Sequence, residues 1–137
     1  MIYKVKLLIY DFDGVMTDNK VYLDQDGREI VQVNRADGLA VSEIRKLGVE
    51  QIIISSEENY VVSARAQKLG IKCFQGVKDK VKVLSEFCEG NNISLDAVAF
   101  VGNDINDLKL METLSLTYCP SDAHRTIKDI SSHILKS

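Results

Sequence analysis

Two carboxylates one residue apart follow an apolar run of strand length near the start of the chain. The run Lys6–Tyr10 leads directly into Asp11 and Asp13, and Gly14 comes next. Residues i and i+2 of an extended chain point to the same side, so the two side chains should converge. Two like charges at close range are costly unless a cation or a shared proton offsets them. The pattern is typical of a hard-metal site, a carboxylate nucleophile or a general acid–base.

Further polar and charged residues follow the other apolar runs. They are Ser55, Ser56 and Glu57 after the second run, Lys80 after the third, and Asn103, Asp104 and Asp107 after the run at 97–101. Ligands of open α/β sheets bind beyond the carboxyl ends of the strands, so these residues should meet the first acidic pair at one edge. A bound cation, an attacking carboxylate, a hydroxyl and an ammonium are together what phosphoryl transfer needs.

Each of these features also has an ordinary structural interpretation. An acidic pair can form a turn after a strand, and a serine at such a place commonly caps a helix. A lysine such as Lys80 is usually a solvated surface residue. Asp104 and Asp107 would also favour a helix start through the helix macrodipole. The functional interpretation therefore depends on the whole set of residues.

The apolar pattern predicts which elements position these residues. Runs of strand length lie at 6–10, 51–55, 71–74, 97–101 and 116–118, and stripes with helical spacing lie between them. The first stripe consists of Leu39, Ile44 and Leu47, and the stripes are followed by Gly48, Gly70 and Gly90, which are helix stop signals. Alternating strands and helices predict an α/β fold with a doubly wound (Rossmann-like) parallel sheet, in a single domain over 1–137.

One segment, at about 20–34, departs from the alternation of strands and helices. Two short apolar stretches flank the polar turn Asp24–Gly27, which is typical of a β-hairpin. The hairpin comes directly after the acidic pair, so we expect it to overhang the site. Its apolar residues lie outside the main sheet and favour a contact between subunits.

Composition excludes several classes of function. The chain has 137 residues, 45% hydrophobic and 27% charged, with a net charge of −3, which argues against nucleic acid or an anionic membrane as the main partner. No apolar run approaches the length of a membrane span and no signal-peptide pattern opens the chain, so we expect a cytoplasmic protein. The three cysteines lack C-x-x-C spacing and are interpreted as reduced thiols. With two histidines, a histidine-based metal site is not expected.

The ordered motifs resemble those of a known family. The segment DFDGVMTD, a serine after the second strand, Lys80 and the segment GNDIND are similar to the four motifs of haloacid dehalogenase superfamily phosphatases. The resemblance spans residues 5 to about 125 and includes no insertion large enough for a cap domain. The finer resemblance is to capless members that hydrolyse 3-deoxy-manno-octulosonate 8-phosphate or nonulosonate 9-phosphates, in sugar-acid biosynthesis.

The resemblance implies a role for each matched residue. Asp11 would be the nucleophile that forms an aspartyl-phosphate, and Asp13 would protonate the leaving alkoxide and then activate water. Ser55 and Lys80 would hold the phosphoryl oxygens. Mg²⁺ would bind to Asp11, to the main-chain carbonyl of Asp13 and to the cluster that follows the strand at 97–101, which contains Asn103, Asp104 and Asp107.

The sequence departs from the family pattern at two places. Where relatives read Gly-Asp-Asp, Asn103 holds the position of a metal ligand, so either Asn103 ligates without charge or Asp104 takes over. The octulosonate enzymes read Thr-Gly-Arg where this chain has Ser55, Ser56 and Glu57. The nonulosonate relatives are similar in having a glutamate there and a lysine matching Lys68, which favours a nine-carbon sugar acid. The resemblance thus implies that Ser56, Glu57 and Lys68 bind substrate, although Glu57 and Lys68 could equally be solvated.

The resemblance also implies a homotetramer in which subunits cover one another's sites. Relatives have a Gly-rich, Arg-containing tail that reaches the site of a neighbouring subunit. The residues up to Ser137 include no match to that tail. The tail and Asn103 motivate an alternative hypothesis, namely a catalytically weak or inactive module for assembly or regulation in sugar-acid activation. A receiver domain is disfavoured, because its acidic pair is normally adjacent and its phosphate acceptor follows a later strand.

Overall fold

A six-stranded parallel sheet forms the centre of the chain in a computed structural model that describes residues 4–136. Its strand order is β5-β4-β1-β6-β7-β8, and the strands β2 and β3 form a separate antiparallel pair. The strands are β1 (Leu7–Tyr10), β2 (Tyr22–Leu23), β3 (Glu29–Ile30), β4 (Glu50–Ile54), β5 (Lys72–Phe74), β6 (Val98–Val101), β7 (Leu116–Cys119) and β8 (His133–Ile134). The α-helices are α1 (Arg35–Lys46), α2 (Val61–Leu69), α3 (Lys80–Gly90), α4 (Leu108–Thr113) and α5 (Arg125–Ile130).

Helices pack on both faces of the sheet, as the sequence predicts for a doubly wound fold. Successive residues of β4 point to opposite faces. Ile52 and Ile54 join the larger apolar cluster with residues of α3, α4 and α5. Ile53 joins a smaller cluster with Val41 of α1 and Val62 of α2. The five predicted strands are confirmed to within one residue at each end.

The packing face of α1 differs from the prediction. Leu39 and Leu47 of the predicted stripe are 74% and 75% exposed, whereas Val41 is buried. The stripe was wrong because its residues are five and three positions apart, which is not the i, i+3, i+4 spacing of one helix face. Gly38 next to Leu39 allows α1 to lie close to Leu69 of α2. The helix therefore packs mainly through Val41, with Gly38 close to α2.

The predicted hairpin is confirmed, with Tyr22 opposite Ile30 and Leu23 opposite Glu29. A further bridge between Thr17 and Val33 ties the base of the hairpin to the segment that follows β1. The strand β8 and the helices α4 and α5 were not predicted, because two to six residues are too short for a periodic pattern. Among residues 4–136, no helix has the length and apolarity needed to cross a bilayer.

Candidate active site

A cavity of about 470 Å³ lies at the carboxyl edge of the sheet, where β1, β4 and β6 end. Its lining includes most of the predicted site residues, namely Asp11, Asp13, Ser55, Ser56, Glu57, Asn103 and Asp104. These residues meet because β1 is central and pairs in parallel with both β4 and β6. The structure thus brings these residues to one edge of the sheet, where the rule that ligands bind beyond the carboxyl ends of strands predicted them to meet.

A buried ion-pair triad lies at the floor of the cavity. The Lys80 ammonium donates to Oδ1 of Asp107 at 2.7 Å and to Oδ1 of Asp11 at 3.2 Å. All three side chains are almost fully buried, with side-chain exposures of 6% or less. Two carboxylates share one ammonium, so the triad carries a net negative charge that a bound cation would offset.

The protonation behaviour of the triad follows from burial. Burial and then the neighbouring Asp107 raise the pKa of Asp11 to about 7, against the lowering effect of Lys80. Burial alone would lower the pKa of Lys80, but the two aspartates outweigh it and raise that pKa above its usual value. Lys80 therefore stays charged near neutral pH. An ionised Asp11, in contrast, needs additional positive charge nearby.

Asp107, like Lys80, does not line the cavity. Its Oδ1 accepts from Lys80, and its Oδ2 accepts from the backbone N–H groups of Asn103 at 3.1 Å and Asp104 at 3.4 Å. Gly102 leaves room for this arrangement, because a Cβ there would lie 2.9 Å from Oδ2 of Asp107. Both carboxylate oxygens of Asp107 thus accept hydrogen bonds. These bonds hold Lys80 and the loop at 102–104 in position. Metal binding by Asp107 remains a prediction without a contact to support it.

Asn103 and Asp104, the two alternatives for the metal ligand, lie in different environments. Asn103 is 7% exposed, and its Oδ1 is buried with no hydrogen-bond partner among residues 4–136. Its amide lies against Gly14 so closely that a Cβ on Gly14 would be 1.8 Å from Nδ2 of Asn103. Asp104 is exposed, and its Oδ1 accepts from the backbone N–H of Ile105 at 2.7 Å. An unpaired buried amide oxygen is rare and indicates a missing partner.

The donor set fits an oxygen-ligated cation. Asp11, Asp13 and Asn103 offer carboxylate, carbonyl and amide oxygens on one cavity. No group of three or more His, Cys, Asp or Glu side chains within the described part of the chain has a metal-holding arrangement. A cation here would therefore need the amide oxygen of Asn103 or a main-chain carbonyl. Mg²⁺, which binds few carboxylates and keeps several waters, suits such a set.

Asp13 is half-buried at the junction of the site with the hairpin. Burial raises its pKa, and the carboxylates of Glu57 and Glu29 raise it further, against the opposing effect of Lys80. A carboxyl group that retains its proton to a higher pH is suited to act as a general acid. Asp11 and Asp13 therefore lie in environments that favour different tasks.

The loop after β4 is held by its own side chains. Ser55 is 1% exposed, and its Oγ accepts from the backbone N–H of Glu57 at 3.1 Å. Because a hydroxyl can accept and donate at once, its proton remains available for a phosphoryl oxygen. Oε1 of Glu57 accepts from the backbone N–H groups of Glu58 and Asn59, both at 3.0 Å. These bonds hold Glu57 beside the cavity.

Lys68, in contrast, does not reach this cavity. It is exposed in the last turn of α2, about 10 Å along the helix from its first residue, Val61. Its substrate-binding role stays a prediction that no contact within one chain supports.

Sequence reasoning missed three residues that line the cavity, namely Asn19, Glu58 and Asn106. Asn106 lies in the GNDIND segment and donates from Nδ2 to Oγ of Ser56 at 3.3 Å. Asn19 has a positive φ of 68°, which asparagine tolerates better than most residues. Its position six residues after Asp13, within a turn, is the signal that could have marked it.

Comparison with known proteins gives consistent matches. Residues 39–137 match the model of a family described as haloacid dehalogenase-like hydrolase. The 3-deoxy-D-manno-octulosonate 8-phosphate phosphatase KdsC of Escherichia coli K12 is 33% identical over 121 residues, which are 88% of this chain and 64% of the relative. The same values hold for KdsC of Salmonella typhi. This chain thus spans about two thirds of the length of the curated relatives it matches.

Solved structures agree with the sequence comparison. A hydrolase of the haloacid dehalogenase family from Streptomyces avermitilis has a TM-score of 0.93 at 37% identity, covering 97% of this chain and 76% of that one. The 3-deoxy-D-manno-octulosonate 8-phosphate phosphatase of Moraxella catarrhalis, in complex with magnesium, phosphate and KDO, has a TM-score of 0.91 at 26% identity. It covers 97% of this chain and 77% of that one.

Proposed function

Because this chain belongs to the haloacid dehalogenase-like hydrolase family, we propose that it is a Mg²⁺-dependent phosphatase acting on a sugar-acid phosphate. The observation that carries the proposal is the buried Asp11–Lys80–Asp107 triad beside Asp13 and the unpaired oxygen of Asn103. The phosphatase with bound magnesium, phosphate and KDO supports both the metal and the substrate class. Glu57, where octulosonate enzymes have arginine, favours a nonulosonate 9-phosphate as substrate.

The proposed reaction assigns one task to each of the two acidic residues after β1. The carboxylate of Asp11 attacks phosphorus, and the bond from phosphorus to the leaving oxygen breaks. Asp13 gives its proton to that oxygen, which leaves as an alcohol. Asp13 then takes a proton from water as the water oxygen attacks the aspartyl-phosphate. Inorganic phosphate departs, and Asp11 is again a free carboxylate.

The remaining residues hold the transferring group. The Lys80 ammonium and the Ser55 hydroxyl would donate to phosphoryl oxygens, with Asp107 and the backbone N–H of Glu57 fixing their positions. Asn103, with Asp11 and the carbonyl of Asp13, would hold Mg²⁺, which when bound offsets negative charge on the phosphoryl oxygens. We prefer Asn103 to Asp104 as the ligand because its oxygen is buried and unpaired.

The test of this function is phosphate release from a panel of octulosonate 8-phosphates and nonulosonate 9-phosphates. We expect turnover with Mg²⁺ that stops with EDTA, and a loss of about a thousandfold or more in Asp11→Asn, because the nucleophile is removed. Asp18→Asn, on the same loop but outside this cavity, is the control and should keep its activity. Equal rates for the chain and for Asp11→Asn on every substrate would support the inactive module instead.

We further propose that the chain works as one domain in a homotetramer. The hairpin supports this, because its apolar side chains are largely exposed, with Tyr22 at 72%, Leu23 at 67% and Ile30 at 62%. A cluster of exposed apolar residues on a two-stranded hairpin is typical of a protein interface. The three unpaired cysteines fit a reducing compartment, which supports a cytoplasmic location.

The oligomer is tested by light scattering of the purified chain. We expect the mass of four chains, and a fall toward the mass of one chain in the double variant Leu23→Lys, Ile30→Lys, because charged side chains would be buried unpaired. Leu47→Lys changes an equally exposed leucine at the end of α1 and should leave the mass unchanged. A single-chain mass for the parent protein would contradict the proposal.

A further inference from the structure

A second cavity, of about 140 Å³, adjoins the candidate active site. It shares the lining residues Asp13, Asn19 and Glu57 with the larger cavity but does not reach Asp11. Its far side is formed by the hairpin and its continuation, which contribute Glu29, Val21 and Val31. The small cavity thus starts at the proposed general acid and extends away from the proposed nucleophile.

The charged residues that line the small cavity are all acidic. Three of its lining residues, Asp13, Glu29 and Glu57, are acidic, and no lysine, arginine or histidine of the described chain lines either cavity. Arg28, next to Glu29, is paired with Asp24 and Asp26 instead. None of the ion pairs within residues 4–136 includes Glu29. Its carboxylate is therefore not neutralised by a neighbour.

Asn103 indicates that the larger cavity, which adjoins the small one, holds a bound group. Its side chain is more than nine-tenths buried, lines the larger cavity and has an oxygen without a partner. Lys80, the only cation among residues 4–136 that contacts Asp11, would hold the phosphoryl end of a substrate on the Asp11 side. A leaving oxygen that receives its proton from Asp13 would then have its attached carbon atoms in the small cavity.

We propose that the small cavity binds the carbon atoms next to the ester oxygen as an uncharged, hydroxylated chain, and that Glu29 together with Glu57 excludes a carboxylate there. The proposal rests on the proposed phosphatase function. Carboxylate oxygens accept hydrogen bonds from hydroxyl groups, whereas a second carboxylate at the same distance is repelled. The volume is about that of four or five water molecules, enough for two or three hydroxylated carbons.

The inference excludes short phosphorylated acids and accommodates the long sugar acids of the proposed function. The carboxylate of the substrate must lie several carbon atoms from the phosphate ester, beyond the small cavity. A long sugar acid phosphorylated at the end opposite its carboxylate meets this requirement. Short phosphorylated acids, with the carboxylate one or two carbons from the ester, do not. Glu29 is thus a specificity-determining residue on the hairpin, away from the triad.

The test compares two three-carbon substrates, glycerol 3-phosphate and 3-phosphoglycerate, which differ only in a hydroxymethyl group against a carboxylate. We expect the parent chain to prefer glycerol 3-phosphate by about tenfold or more in kcat/KM, since one unfavourable charge contact has this order of effect. Glu29→Gln should reduce the preference at least threefold, and Glu29→Lys should reverse it. Glu86→Gln removes an exposed glutamate of α3 and should leave the ratio unchanged.

The outcomes separate this inference from the proposed function. Turnover of both compounds with equal kcat/KM, or a ratio that Glu29→Gln and Glu29→Lys leave unchanged, would overturn the role of Glu29 alone. Absence of turnover for these compounds and for every sugar-acid phosphate would overturn the phosphatase function itself. Circular dichroism of the variants checks that the exposed hairpin substitutions leave the fold intact.

Discussion

Lys80→Met is expected to lower the free energy of unfolding by about 3–5 kcal/mol and to abolish phosphate release. The substitution removes the one ammonium that contacts Asp11 and Asp107, and leaves two buried carboxylates facing each other. Both side chains are nearly inaccessible to water, so solvent cannot offset the lost attraction. Urea denaturation measures the loss of stability, and phosphate release measures the loss of activity.

The pH dependence identifies the cause of this instability. The pKa of Asp11 is already raised by burial and by Asp107, and it rises further without Lys80. A carboxyl group with a raised pKa in the folded state destabilises the fold as pH rises above its unfolded pKa. Lys80→Met should therefore regain stability from pH 8 to pH 5, whereas Lys82→Met, an exposed neighbour on α3, should resemble the parent chain throughout. A loss that is independent of pH would indicate a packing defect instead.

Gly14→Ala is expected to displace Asn103 and so to raise the Mg²⁺ concentration needed for half-maximal activity by about tenfold or more. The new Cβ would lie 1.8 Å from Nδ2 and 2.7 Å from Cγ of Asn103, which no real Cβ tolerates. Gly14 also has a φ of +82°, where alanine is strained by about 1 kcal/mol. A Mg²⁺ titration of activity, with the unfolding free energy measured in parallel, checks both effects.

Two further variants separate the clash from the backbone strain. Gly27→Ala introduces alanine at a φ of +79° with no atom within 4 Å of the new Cβ, so it reports strain alone. The double variant Gly14→Ala, Asn103→Ala removes the clashing side chain and should recover stability but not metal affinity. If Asp104 were the ligand, Gly14→Ala would lose stability and keep its Mg²⁺ dependence.

Much of the site was predictable because parallel strands bring their carboxyl ends to one edge. Asp11, Ser55 and Asn103 lie far apart in the sequence, yet each follows an apolar run. The parallel sheet places the ends of these runs at one edge, so the three side chains line the same cavity. The burial of Lys80 was not predictable, because a lysine at a helix start is usually solvated. Its burial depends on Asp107, which accepts from the Lys80 ammonium, and on Gly102, where a side chain would clash with Asp107.

Other features escaped prediction because they depend on tertiary contacts. Periodicity did not identify the buried face of α1, since Val41 packs inward while Leu39 remains exposed. The sequence pattern indicates only that Glu29 belongs to a hairpin. Its position beside Asp13 depends on how the hairpin folds back over the sheet, which the pattern does not show. The resemblance to nonulosonate relatives suggested Lys68, which lies in the last turn of α2 and does not line the cavity.

The central position of β1 also bears on how such a chain can diversify. The proposed nucleophile, Asp11, follows a strand that is paired along its whole length on both sides, and its backbone N–H donates to the carbonyl of Val101. The proposed selectivity residue Glu29, by contrast, belongs to a two-residue strand outside that sheet. Substitutions in such a peripheral element have small effects on stability, whereas changes in the core are costly. Substitutions in the hairpin can therefore change substrate specificity during evolution, while the residues proposed to break the phosphate ester stay the same.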